Sequence, residues 1–167
     1  LEARQLEMGH ARALLTLAPA AAIGLAREAA AQGLSVREVE RRAQAARMGA
    51  WLDRSLPSGC KILCSPTART VQTAEALGRK YKIVPEIGPE ATATEVLMAA
   101  GWPEAKGPVM VVGHQPWLGQ VASLPLTGTE QDWTVKKSNA WWISHRQRDE
   151  GNELFLKAVL APEFFSD

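Results

Sequence analysis

Pro108–Gly119 reads PVMVVGHQPWLG, and the rest of the chain is interpreted around it. Val109, Met110, Val111 and Val112 form an uninterrupted apolar run of strand length, the pattern of a strand buried on both faces of a mainly parallel sheet. Gly113 is expected to let the backbone turn tightly where the strand ends, and Pro116 suits the first position of a following helix. His114 would then lie in the crevice at the carboxyl edge of the sheet, close to a helix N-terminus that favours anions. Taken alone, the stretch also allows a core histidine with both ring nitrogens satisfied.

The same strand-to-helix corner recurs upstream. Lys61-Ile62-Leu63-Cys64 reads as a strand, and Ser65 as the cap of a helix from Pro66 to about Tyr81, with Pro66 in its first turn. Arg69 falls in the first turns of that helix, where its fixed charge and forked donors can point back to the carboxyl edge of the sheet. One corner offering Arg and another offering His make a phosphate pocket; an ordinary surface arginine is the other reading of Arg69. Trp117 reads either as a core or pocket-wall residue, like the other tryptophans, or as a residue at the pocket mouth. Ile83-Val84 is a short strand before a Gly/Pro-rich loop through Pro89, and a helix covers about Thr94 to Ala100. Ala140–Ser144 and Leu154–Leu160 pair as a hairpin around Asp149–Asn152. The class is α/β with a mainly parallel core.

The N-terminal part is helical throughout. Met8, Ala11, Leu14, Leu15 and Ala18 recur at helical spacing, and Pro19 opens an Ala-rich helix that Gly33 closes. Ser35–Glu38 reads as a capping box starting a third helix, which runs to Leu56 and ends at Pro57 and Ser58-Gly59. Its apolar stripe changes side: Val36 and Val39 define one face, and Met48, Trp51, Leu52 and Leu56 a face rotated by roughly half a turn. The phase break near Ala43–Ala46 marks a junction between segments that bury different faces. Two units are expected, 1–43 and 44–167.

The 167 residues suit one well-buried domain with an appendage. Nineteen Lys and Arg against eighteen Asp and Glu leave a net charge of +1, so bulk charge points to neither nucleic acid nor membrane. No apolar run has the length of a membrane span and no signal peptide opens the chain, so a cytoplasmic location is expected. A chain opening on Leu1 is expected to be a piece or a processed product. Cys60 and Cys64, four apart in one strand, are expected as reduced, buried thiols. They lack partners at zinc-ligand spacing. Cys64 and Arg69 enclose one residue fewer than a cysteine-phosphatase loop requires, so Cys64 reads as a strand residue.

SPTARTVQTAE and VVGHQPWLG, in this order and separation and accompanied by QAARMGAWL and KKSNAWW, resemble the SixA-type phosphohistidine phosphatases of the histidine phosphatase superfamily. The resemblance covers about Gln44 to the C-terminus. It implies a phosphoglycerate-mutase-like fold with no metal or cofactor, and a phosphohistidine-containing phosphotransfer protein as partner. Position by position, it makes Arg69 a phosphate clamp and His114 the supporting catalytic histidine, and Ser65 is a further candidate phosphate contact. In that family an Arg-His motif ends the first strand and supplies the nucleophile. It should precede the helix containing Met48, yet no strand-like run occurs before Ile62. Met8-Gly9-His10-Ala11 has Gly in the place of the Arg and helical periodicity, and His145 lies inside a late strand. The expectation is an incomplete site with impaired hydrolysis, in a sheet that lacks its first strand and is either rearranged or aggregation-prone. LEMGHARALLTL with GLSVREVE is similar to the helical segment following the helix-turn-helix of ParB-type chromosome-partitioning proteins. Nucleic-acid binding is not expected without that upstream element. The alternative is a ParB-like DNA-binding fragment carrying a passive α/β domain.

Overall fold

The computed structural model describes residues 6–149 and 151–165. Its centre is strand β1 (Lys61–Cys64), flanked by β2 (Lys82–Ile83) and β3 (Val109–Val112) in a parallel sheet of order β2-β1-β3. Side chains alternate across a strand, so Ile62 and Cys64 enter one core with Met48, Leu52, Leu77 and Val112. Leu63 enters another with Val84, Ile87, Val96 and Trp117. The first core lies under α3 (Val36–Ser55) and α4 (Ala68–Glu75), the second under α5 (Ala93–Ala99) and α6 (Trp117–Thr127). Three layers result, with helices on both faces of the parallel sheet.

A separate two-stranded antiparallel sheet follows, β4 (Ala140–Arg148) with β5 (Gly151–Leu160), bulged between Trp142 and Ile143. It is longer than the expected hairpin. Ala140 and Leu160 pack against the α3 core, as do Trp51 and Phe165, whose rings stack at 5.0 Å.

The sheet is thus in two pieces, and β3 is an edge. Lys61 N–H donates to Pro108 O and Ser65 N–H to Val112 O, each at 3.0 Å. Backbone groups of alternate residues in a parallel strand face opposite neighbours, so Val109 and Val111 turn their N–H and C=O away from β1. Among the described residues no strand meets them. Both faces of β3 are packed, as the apolar run implies, but Val109, Met110 and Val111 are only half-buried beside the open edge.

The helical segment comprises α1 (Met8–Leu14), α2 (Pro19–Gln32) and the first half of α3. Gly33, at φ 62°, closes α2. Ser35 Oγ accepts the Glu38 N–H and caps α3, but the expected reciprocal box does not form. Glu38 instead binds Arg41 and Arg42, while Arg42 also reaches Glu28 on α2. The expected α1 stripe is likewise corrected. Met8 and Leu15 are 89% and 85% exposed, and the buried positions are His10, Ala13 and Leu17. His10 explains the rotation. Its Nδ1 accepts the Glu7 N–H at 3.0 Å, leaving Nε2 to donate to Leu34 O at 2.7 Å, so the imidazole binds α1 to the α2–α3 turn.

Helix α3 runs without a break and joins both cores: Val39 and Ala43 pack with Ala13, Leu25 and Ala29, Met48 and Leu52 with the sheet. Arg79 caps its far end, donating to Asp53 O, Leu56 O and Pro57 O and pairing with Asp53 Oδ1 at 2.6 Å. Helix α4 is shorter than expected, Ala68–Glu75 rather than Pro66 to Tyr81. Gly78, at φ 66°, ends the following turn. Its N-cap position is Thr67, not Ser65. Cys60 lies before β1, not in it; both cysteines are free. No helix among the described residues is long and apolar enough to cross a membrane.

Gly49 is where α3 approaches the end of α4, since a Cβ there would overlap Ala76 O and C. Gly49→Ala should lower the free energy of unfolding by about 2 kcal/mol or more in urea melts, as overpacking does. Gly24→Ala in α2, where a Cβ meets nothing within 4 Å, should raise it by roughly 0.5–1 kcal/mol. Equal effects at the two sites would show that α3 and α4 are not in close contact.

Candidate active site

The register of β1 and β3 creates the site. Cys64 pairs with Val112, so the two strands end level and the residues beyond them meet. Ser65, fully buried, places Oγ 2.7 Å from His114 Nε2. The Ser65 turn is fixed by Thr70, whose Oγ1 donates to Ser65 O at 2.7 Å and lies 2.8 Å from Thr67 O. Sequence reasoning missed Thr70; a hydroxyl in the first turn of a helix, able to bond back to preceding carbonyls, is the signal that could have found it.

Beyond His114, its backbone O accepts the Leu118 N–H at 2.8 Å as α6 begins. Pro116 is the N-cap of α6, one position earlier than expected. Trp117 is not at a pocket mouth. It is 1% exposed, donates Nε1–H to Gly88 O at 3.0 Å and meets the His114 ring edge-on at 6.0 Å. Gly113 is explained by this packing rather than by a tight turn, because a Cβ there would overlap the Trp117 indole. Gln115 donates to Trp133 O at 3.0 Å and accepts the Gly119 N–H, tying the segment before β4 to α6.

Arg69 is exposed on α4, but its charge reaches the imidazole. His114 is held below the ordinary histidine value of 6.5, first by burial and then by the Arg69 guanidinium. Ser65 and His114 are in direct contact, and Arg69 reaches His114 through its charge alone. A neutral imidazole, a serine hydroxyl and a fixed cation at the carboxyl edge of two parallel strands can receive an oxyanion, and proton uptake by His114 would add a second charge-assisted hydrogen bond.

The other candidates lie elsewhere. His10, 5% exposed and bonded through both nitrogens, is a structural histidine of the helical segment. His145 sits in β4 opposite Leu154. Cys64 is fully buried, donates to Ser65 O at 3.2 Å and has its thiol pKa raised, first by burial. Among the described residues no three His, Cys, Asp or Glu side chains gather at a metal site.

Comparison with known proteins finds two kinds of relative. Residues 1–48 match the ParB HTH domain family. The probable chromosome-partitioning protein ParB of Xylella fastidiosa (strain 9a5c) is 49% identical over 88 residues, covering 50% of this chain and 28% of that protein. The Neisseria meningitidis serogroup A ParB is 65% identical over 43 residues, 26% of this chain and 15% of that protein. The chain thus spans about a quarter or less of the length of these relatives. Among solved structures, the fold is similar to that of a protein assigned as phosphohistidine phosphatase SixA from Nakamurella multipartitia. The TM-score is 0.53 and the identity 23%, covering 72% of this chain and 81% of that one. It is similar also to the protein histidine phosphatase SixA complexed with tungstate, with TM-score 0.56 and 19% identity, covering 78% and 85%. The resemblance to SixA-type phosphatases and the ParB-like N-terminal segment both stand, the former at the level of fold.

Burial of neutral His114 has a sign. Its folded pKa is depressed, so its contribution to stability is complete above the unfolded-state value and is lost as pH falls toward the folded value. Melts from about pH 8 to about pH 5 should show the wild type losing more stability than His114→Asn. In an NMR titration, Arg69→Gln should raise the His114 midpoint; an unmoved midpoint would remove Arg69 from the site.

Proposed function

We propose that residues 44–167 form a SixA-like phosphoryl-binding domain whose hydrolytic step is impaired, preceded by a separate ParB-like unit at 1–43. The observation that carries this reading is the Ser65–His114 pair beside Arg69. These groups would hold phosphoryl oxygens and spread their charge, which is the main task of a phosphoryl-transfer site. The resemblance assigns attack on phosphorus to another histidine. The chain has three, and the positions of His10 and His145 support the absence of such a partner from this corner. His114 Nε2 is itself engaged by Ser65. The natural ligand on this reading is phosphohistidine on a phosphotransfer protein.

Tungstate, a tetrahedral oxyanion present in one structural neighbour, is a direct probe. Calorimetry should detect its binding, weakened about tenfold or more by His114→Ala and by Arg69→Gln. Phosphohistidine peptide should be hydrolysed no faster than without protein. Turnover at about 1 s⁻¹ or above would overturn impairment, and its survival in His10→Ala would require a nucleophile elsewhere.

The match of residues 1–48 to the ParB HTH domain family supports a second reading, a DNA-binding fragment carrying a passive α/β domain. It calls for salt-dependent binding to duplex DNA that disappears when residues 1–42 are deleted. Binding insensitive to that deletion would remove it.

A further inference from the structure

A cleft of about 430 Å³ lies where the helical segment meets the α/β unit. Its walls come from the first half of α3, from Arg69 and Gln72 of α4, and from Lys137 before β4. Two carboxylates border it. Glu38 is already committed: it accepts from Arg41 at 2.6 and 2.9 Å and from Arg42 at 2.9 Å. Its pKa is driven down to about 2, chiefly by the Arg41 hydrogen bond. Arg41 also donates to Gln72 Oε1 at 2.7 Å, which fixes this wall between the two helices. Arg37, Arg69 and Lys137 remain, facing only Glu40, and none of the three forms a salt bridge among the described residues.

Three cations from three elements thus line one concavity, where Glu40 is the one carboxylate among the described lining residues that no salt bridge engages. The volume falls in the range of small-molecule sites, roughly 300–1,000 Å³. The lining chemistry narrows the ligand, because every side chain on the cleft is polar or charged. A nucleobase would find no ring to stack on, and a peptide no pocket for an apolar anchor. Cations without apolar walls suit a compact anion bearing several phosphoryl groups.

We infer that this cleft binds a compact polyphosphate, one phosphoryl group at Arg69 and another at Arg37 and Lys137. The inference shares Arg69 with the reading proposed above and otherwise stands on different residues. Arg37 is exposed in the first turn of α3, where a cation opposes the helix dipole, so Arg37→Gln should fold normally. Lys137 is also exposed.

The test is calorimetry on the full chain at low ionic strength, with tripolyphosphate and orthophosphate as probes. Tripolyphosphate should bind at least about tenfold more tightly than orthophosphate. The double variant R37Q/K137Q should weaken tripolyphosphate about tenfold or more and leave orthophosphate unchanged, and added salt should weaken the wild-type complex. Unchanged tripolyphosphate affinity in the double variant overturns the inference, whatever His114→Ala does. Loss of orthophosphate in His114→Ala tests the His114 corner separately, so either site can fail alone. Duplex DNA or an acidic phosphopeptide binding more tightly than tripolyphosphate, and losing that affinity in the same double variant, would overturn the assignment to a compact anion.

Discussion

The two halves of α3 must bury opposite faces of one rigid rod. At about 100° per residue, the nine steps from Val39 to Met48 add up to half a turn. Val39 therefore closes on Ala13, Leu25 and Ala29, while Met48 closes on Ile62, Cys64 and Leu77. A twenty-residue helix about 30 Å long allows no hinge between them. Its ends are fixed by Ser35 at the start and Arg79 at the finish, so α3 holds the helical segment against the α/β unit. The junction cleft exists for the same reason, since α3 carries Arg37 and Arg41 past α4 at the height of Arg69 and Gln72.

The site follows from a second constraint, strand register. Parallel pairing from Lys61–Val109 to Cys64–Val112 ends β1 and β3 together, so the next residues, Ser65 and Gly113, lie side by side and His114 turns back onto the serine. Arg69 owes its place to Thr70. That side chain is buried and bonds back to Ser65, which sets the start of α4 and the direction of its first turn.

Much of this was legible in the sequence because it rests on local chemistry. The apolar runs of β1 and β3, the Pro19 and Gly33 punctuation of α2, and the phase change along α3 each required only neighbouring residues. What was not legible depends on distant partners. Met8 and Leu15 have the spacing of a buried stripe, but His10 rotates α1 by bonding to Leu34. Ser65 resembles a helix cap, yet it is drawn into the core by a histidine 49 residues away. Trp117 resembles a pocket wall until the Gly88 carbonyl that receives its N–H is known. Arg79, which caps α3 from across the fold, left no signal in the sequence around Ser55.

The open edge of β3 bears on what the corner can do. Helices cover both faces of the strand, which explains how four residues persist as an edge, while the backbone groups of Val109 and Val111 turn outward, where water can satisfy them. So short an edge is also a poor template for pairing between copies. The open edge ends within a few residues of His114. Electrostatic stabilisation of a transferring phosphoryl group is strongest in a dry, low-dielectric site, whereas holding an oxyanion tolerates solvent at moderate affinity. On the reading proposed above, a corner with one histidine, a neighbouring cation and an open strand edge would retain a phosphoryl group better than it would transfer one.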